Sequence, residues 1–145
     1  MAKFDFVSIL SLIAKAYYSI EKSVLFFVII RTMKTDMIIH NFKTFDEFYA
    51  YLKENSTKEN EVFVEVSRKR PENCGDILSY YDAVKVALCF GWIDSTLRNI
   101  DGKLVQRFSP RRKNSHWTKT NIERCKELDK LGLLTKEGKK ACPKF

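Results

Sequence analysis

From residue 37 onward, the apolar positions follow first one period and then another. Phe45, Phe48/Tyr49 and Leu52 recur three to four residues apart, the spacing of one helix face. Ahead of them, Thr44-Phe-Asp-Glu47 has the form of a capping box, with a Thr oxygen for an orphan backbone amide and a Glu three residues later. A helix is therefore predicted over 44–54. The period then drops to two: residues 61–68, EVFVEVSR, place Val62, Val64 and Val66 on one face of a strand. Turn chemistry follows in RKRPENCG.

Residues 79–90 return to helical spacing, with Tyr80, Val84, Ala87 and Leu88 as the inner stripe. Ser79 is placed to cap this helix, Asp82 lies in its first turn where the macrodipole favours an anion, and Gly91 ends it with a positive φ. Strands over 92–99 and 103–108 flank Asp101-Gly102, a two-residue signal for a type I′ hairpin. In the second of these strands Leu104, Gln106 and Phe108 share one face, Val105 and Arg107 the other. Pro110, with no amide to donate, stops the ladder. A further capping box, Thr120-Asn-Ile-Glu123, opens a helix striped by Ile122, Cys125, Leu128 and Leu131, and Gly132 closes it. Thr135 starts a short last helix that runs to about Ala141. The predicted order is α-β-α-β-β-α-α, an α+β domain with a small, largely antiparallel sheet and packed helices.

Residues 1–36 stand apart from this pattern. Their apolar runs, 6–14 and 24–30, are broken by Lys15, Glu21 and Lys22, and neither reaches the ~20 residues that span a bilayer. No transmembrane span is expected. A basic start and an apolar block partly fit a signal peptide, but no small-residue cleavage site follows. Three readings stay open: an amphipathic helix on a membrane or on the domain, a divergent signal anchor, or sequence upstream of a true start at Met33 or Met37. The last is preferred, giving a hydrophobic extension over 1–36 and a folded domain over 37–145. The expected location is then cytoplasmic, with a periplasmic or membrane-associated one if the extension is a targeting segment.

Charge changes the picture because of where it lies. Residues 1–102 carry 13 Lys/Arg and 14 Asp/Glu, whereas residues 103–145 carry 13 and 4. The whole excess of +8 thus sits in the last third, which suits nucleic acid, acidic headgroups or a phosphorylated small molecule as well as it suits a solvated basic face. Cys74, Cys89, Cys125 and Cys142 form no CxxC pair. With only His40 and His116 beside them there is no zinc spacing, so free thiols, no metal and no cofactor are expected. GxGxxG and GxxxxGK[ST] loops are absent.

The segments ALCFGWID (87–94), RFSPRR (107–112) and SHW (115–117), with Asn121, resemble the YdeI/OmpD-associated family, also described as bacteriocin-protection proteins. Tyr80 and Asp82 stand where that family has a tyrosine and a first-turn glutamate. Ser95 replaces its usual glycine, Ser109 a threonine and Thr118 a serine. The likeness covers about residues 60–141, and the Arg-rich tail of many members is missing. It implies a YjbR/CyaY-like α+β fold and a role in tolerance of bacteriocins or cationic antimicrobial peptides, partly through a porin partner. It brings no catalytic residues with it.

The stretch RFSPRRKNSHW is the strongest chemical signal. Arg111 and Arg112 each offer a planar fork of donors to phosphate or carboxylate. Trp117 and Phe108 supply ring faces, and Asn121 stands near a helix N-terminus. Arg107, Arg111, Arg112, Ser115, Trp117 and Asn121 are the candidate anion-binding residues, supported by Asp82, Cys89, Trp92 and Asp94. The competing reading is internal: one arginine, Arg112 by preference, pairs with Asp94 or Asp82, and both tryptophans are core. Cys89 with His116 makes only a weak case for thiol catalysis, because a cysteine on an apolar helix face is usually inert. The expected function is a non-enzymatic binding or stress-tolerance protein, with a phosphate-bearing small molecule, another anion or a protein as partner. The alternative is a nucleic-acid-binding protein that uses the basic C-terminal third.

Overall fold

The computed structural model describes residues 9–13, 15 and 37–145. Contacts within the chain divide it into Met1–Met37 and Ile38–Phe145. Residues 9–13 and 15 are helical. The remainder of the hydrophobic extension, and with it the choice among an amphipathic helix, an anchor and an upstream start, lies outside the described residues.

Within Ile38–Phe145 the fold is α+β, with a four-stranded sheet. Its strands are β1 (Ile39–His40), β2 (Val62–Glu65), β3 (Trp92–Ile100) and β4 (Lys103–Pro110), arranged β1-β2-β4-β3. β2–β4 and β4–β3 are antiparallel; β1, too short to carry a sequence pattern, runs parallel to β2 through Ile39↔Phe63 and His40↔Val64. The helices are α1 (Phe45–Asn55), α2 (Tyr80–Cys89), α3 (Lys119–Lys130) and α4 (Lys136–Ala141). A 3-10 turn occupies Pro71–Asn73.

The core lies between one face of the sheet and the helices. Val62, Val64 and Phe108 from the sheet meet Phe48 and Leu52 of α1 and the apolar side of α2. Phe48 and Phe108 are both fully buried, with ring centroids 5.5 Å apart. Burying one such side chain contributes roughly 2–3 kcal/mol. α2 is the central helix: Ala83, Val84, Val86, Ala87, Leu88 and Cys89 are all buried. Trp92, immediately beyond it, is 3% exposed.

The hairpin turn falls on Asp101 (φ 50°) and Gly102 (φ 80°), and Asn99 Oδ1 accepts from the Gly102 amide at 3.0 Å. Further along, the ladder shifts register between Asp94 and Leu97. Asp94 pairs with Phe108 and Leu97 with Gln106, so three residues of β3 span two of β4. Residues three apart face opposite ways in an unbroken strand; this bulge brings both onto the helix-covered face. Gln106, 2% exposed, makes the bulge tolerable. Its Nε2 donates to the carbonyls of Thr96 (3.2 Å) and Arg107 (3.0 Å).

Several local details differ from the sequence pattern. The cap of α3 is Thr118, whose Oγ1 accepts from the Asn121 amide at 3.3 Å. Thr118 keeps the extended backbone a cap requires (φ −77°, ψ 150°), whereas Thr120 is already helical. Ser79 makes no cap bond; its hydroxyl donates to the Lys69 carbonyl at 2.8 Å, and the Ser67 carbonyl receives the Tyr80 amide. Glu47 reaches past Thr44 to the Lys43 amide at 2.7 Å. Leu131, at the C-cap of α3, is 63% exposed, and Leu134 is buried instead.

Candidate functional site

Gly91 starts the geometry of the site. Its positive φ (72°) ends α2 and turns the chain into β3, and its carbonyl accepts the Arg111 amide at 2.9 Å. This bond fixes Arg111 as the first residue past β4, where Pro110 has ended the strand. The Arg111 guanidinium then folds back over Trp117, with Cζ 3.7 Å from the ring centroid. Its Nη1 donates to Ser115 Oγ (2.9 Å) and to the His116 carbonyl (3.1 Å). Its Nε is buried, without a hydrogen-bond partner among the described residues. Burial lowers the Arg111 pKa, and the nearby Cys125, Asp94 and Cys142 work in the opposite sense. The inward-turned arginine is therefore Arg111, whereas Arg112 is exposed and makes no ion pair among the described residues. The Gly91 bond fixes the Arg111 backbone, and of the two adjacent arginines it is Arg111 that is drawn in while Arg112 stays exposed.

Asp94 is the carboxylate of this region. Delivered to the helix side by the bulge, it accepts a 2.7 Å hydrogen bond from the Tyr80 hydroxyl. Neither arginine of the loop is within ion-pair distance of it among the described residues; Tyr80 is its bonded partner. Burial, the bond to Asp94 and the carboxylate charge together push Tyr80 up to about 12, while Arg124 and Arg68 pull it down. Arg124, on α3, donates through Nη1 to Asn121 Oδ1 at 2.9 Å. Tyr80, Asp94, Arg111, Ser115, Trp117 and, through Arg124, Asn121 are thus drawn to one end of the sheet.

Arg107 is not. On the far face of β4 it pairs with Phe63, and its Nε lies 2.6 Å from Glu61 Oε2 while Nη1 donates to Ser95 Oγ at 3.1 Å. It is committed to those partners.

The remaining supports divide. Trp92 is core, and Trp117 is half-buried against the core. Cys89 is fully buried, and burial with the neighbouring Cys142 pushes its thiol up to about 12, far from forming a thiolate at neutral pH. His116 is exposed and serves Arg111 through its carbonyl. All four cysteines are free thiols, and the described residues hold no cluster suited to a metal. Asp82 is half-buried; burial raises its pKa, Lys85 opposes that and Glu72 adds to it.

Asp82 lines a cavity of about 340 Å³ with Arg70, Pro71, Tyr81, Lys85 and Arg124. A second, of about 280 Å³, is lined by Arg68, Tyr80, Tyr81 and Leu97. In the sequence Arg68 and Arg70 belong to a turn segment, and Tyr81 and Arg124 stand in no motif. The one available signal was that Arg124 stands a helical turn beyond Asn121 on the same face.

No curated protein and no solved structure matches the chain. Residues 40–141 match the domain of unknown function DUF8412, and on that match the chain belongs to this family.

Proposed function

We propose that this chain is a non-catalytic binding or stress-tolerance protein of the YdeI/OmpD-associated type, acting in protection against bacteriocins or cationic antimicrobial peptides, with an anion held at the loop that follows β4. The observation that carries the anion site is Arg111: a guanidinium stacked on Trp117, with a buried Nε that has no partner among the described residues. A buried donor left unpaired is costly, and Arg112 beside it is free to close on the same oxyanion. The likeness of Tyr80, Asp94, Arg111, Arg112, Ser115, Trp117 and Asn121 to the family pattern supports the wider role. A chain of net charge +8 repels cationic peptides, so protection runs through a partner and not through direct capture. Four free thiols support a reducing, cytoplasmic setting. Among the described residues no helix is long and apolar enough to cross a membrane.

The test is thermal unfolding with phosphate, sulfate or a mononucleotide, for wild type, Arg111→Ala and Arg112→Ala. Stabilisation of wild type that is lost in both variants supports the loop site; no stabilisation by any anion refutes it. Survival of cells with and without the chain under a cationic peptide tests the protective role separately.

The nucleic-acid reading is favoured by exposed Arg112, Lys113 and Lys119 in the basic third. It predicts affinity that falls steeply with salt as phosphate contacts release counterions. A small anion in the loop gives a shallow slope.

A further inference from the structure

The two cavities lined by Tyr81 share Tyr80 and Arg124 with the end of the sheet where Arg111 lies, but no residue of the loop 111–117 lines either of them. Tyr81 is 42% exposed and lines both. Arg68 borders the smaller; Arg70, Lys85 and Arg124 border the larger. Among the described residues no carboxylate lies within 4 Å of Arg68, Arg70 or Arg124. Lys85 faces Glu127 at 3.8 Å, and among the described residues Asp82 is the one carboxylate lining either cavity. The groove is therefore net cationic.

Its parts are also oriented. Arg124 is half-buried and held by Asn121 at 2.9 Å, so its remaining donors are pre-positioned. Tyr80 is fixed by Asp94 at 2.7 Å and presents its ring beside Leu97 as an apolar wall. Planar guanidinium forks match phosphate oxygens, and an exposed tyrosine ring offers a stacking surface to any flat base. Each cavity is near or just below the lower end of the size range for small-molecule sites, which suits one part of a ligand in each.

We infer that the two cavities that share Tyr81 form one site for a nucleotide-type ligand, with its phosphates at Arg70, Lys85 and Arg124 and its ring against Tyr81, Leu97 and Arg68. The site does not depend on the anion loop at Arg111. It differs from a general basic surface in requiring both halves of the ligand.

The experiment is titration calorimetry of the full chain with ATP, AMP and inorganic triphosphate. ATP is expected to bind more tightly than either fragment. Tyr81→Ala is expected to weaken ATP at least tenfold while leaving triphosphate within twofold, and Tyr81→Phe to restore ATP. Arg70→Ala and Arg124→Gln are expected to weaken ATP and triphosphate together, with melting curves confirming that each variant is folded. Equal binding of ATP and triphosphate, or indifference to Tyr81→Ala, reduces the groove to a patch of charge and overturns the proposal. Loss of ATP binding in Arg111→Ala with Arg70→Ala silent moves the ligand to the loop and also overturns it. A single-stranded oligonucleotide binding far more tightly than ATP, with a steep salt slope, replaces the small-molecule ligand with a nucleic acid.

Discussion

Gly138 stands directly on the Cys89 carbonyl: a Cβ at Gly138 would lie 2.2 Å from that oxygen and 2.8 Å from its carbon. The contact joins α4 to the C-terminal end of α2, where helix carbonyls lack intrahelical partners. Thr135 completes the joint, its amide (2.9 Å) and hydroxyl (2.7 Å) both donating to the same carbonyl. Gly138→Ala must push α4 off α2 and stretch both bonds. The expected loss is about 3 kcal/mol, read as a lower midpoint in urea unfolding; an unchanged midpoint means the helices separate freely.

Gly91→Val meets two obstacles. The residue sits at φ 72°, which β-branched residues resist. Its added Cβ would also come within 2.9 Å of the Ala141 Cβ and 3.0 Å of the Glu137 oxygen. A loss of about 2 kcal/mol or more is expected in the same assay, larger than for Gly102→Val, where nothing lies within 4 Å of the added carbon.

Arg111 and Arg112 separate by mutation. Arg111→Ala removes two hydrogen bonds and the stacking on Trp117, an expected loss of about 1–2 kcal/mol. Arg112→Ala is expected to stay within about 0.5 kcal/mol of wild type. Arg111→Lys keeps the charge but not the fork, so it recovers only part of the loss. Equal melting temperatures for all three variants and wild type count against an internal role for Arg111.

Tyr80 titrates late. Its folded pKa of about 12 lies above the ordinary tyrosine value, so between roughly pH 10 and 12 the folded chain holds a proton the unfolded chain has released. That part of the stability is intact below pH 10 and is lost as pH rises through 12. Tyr80→Phe should flatten the alkaline decline and remove a late-titrating step from the tyrosinate absorbance. At neutral pH it leaves Asp94 one bond short, an expected loss of about 1 kcal/mol.

Legibility in the sequence followed the range of the interactions. The Thr44 cap, the turn at Asp101-Gly102 and the positive φ of Gly91 are decided by neighbours a few residues away, and each was readable from residue type. The α+β order could be read from periodicity for the same reason. β1 could not: two residues show no period, and Ile39 is a strand only because Phe63 is there to pair with it. The bulge was hidden because it depends on Gln106 across the ladder. At the candidate site, Arg111 and Arg112 are chemically alike and adjacent, so only the Gly91 carbonyl, twenty residues back, distinguishes them. The Tyr80–Asp94 bond needed both the helix and the bulge to be known first. Gly138 had no turn signal, because its role is to be small beneath another helix.

The bulge in β3 has a consequence for how copies of the chain meet. With the order β1-β2-β4-β3, this nine-residue strand forms one margin of the sheet. A straight margin of that length presents unpaired amides and carbonyls, a template on which another molecule can add a strand and begin to aggregate. The displaced residues between Asp94 and Leu97 break the repeat near its middle, and a neighbour that pairs in register on one side of the break is out of register on the other. The irregularity that turns Asp94 towards Tyr80 thereby also makes this margin a poorer template for strand addition.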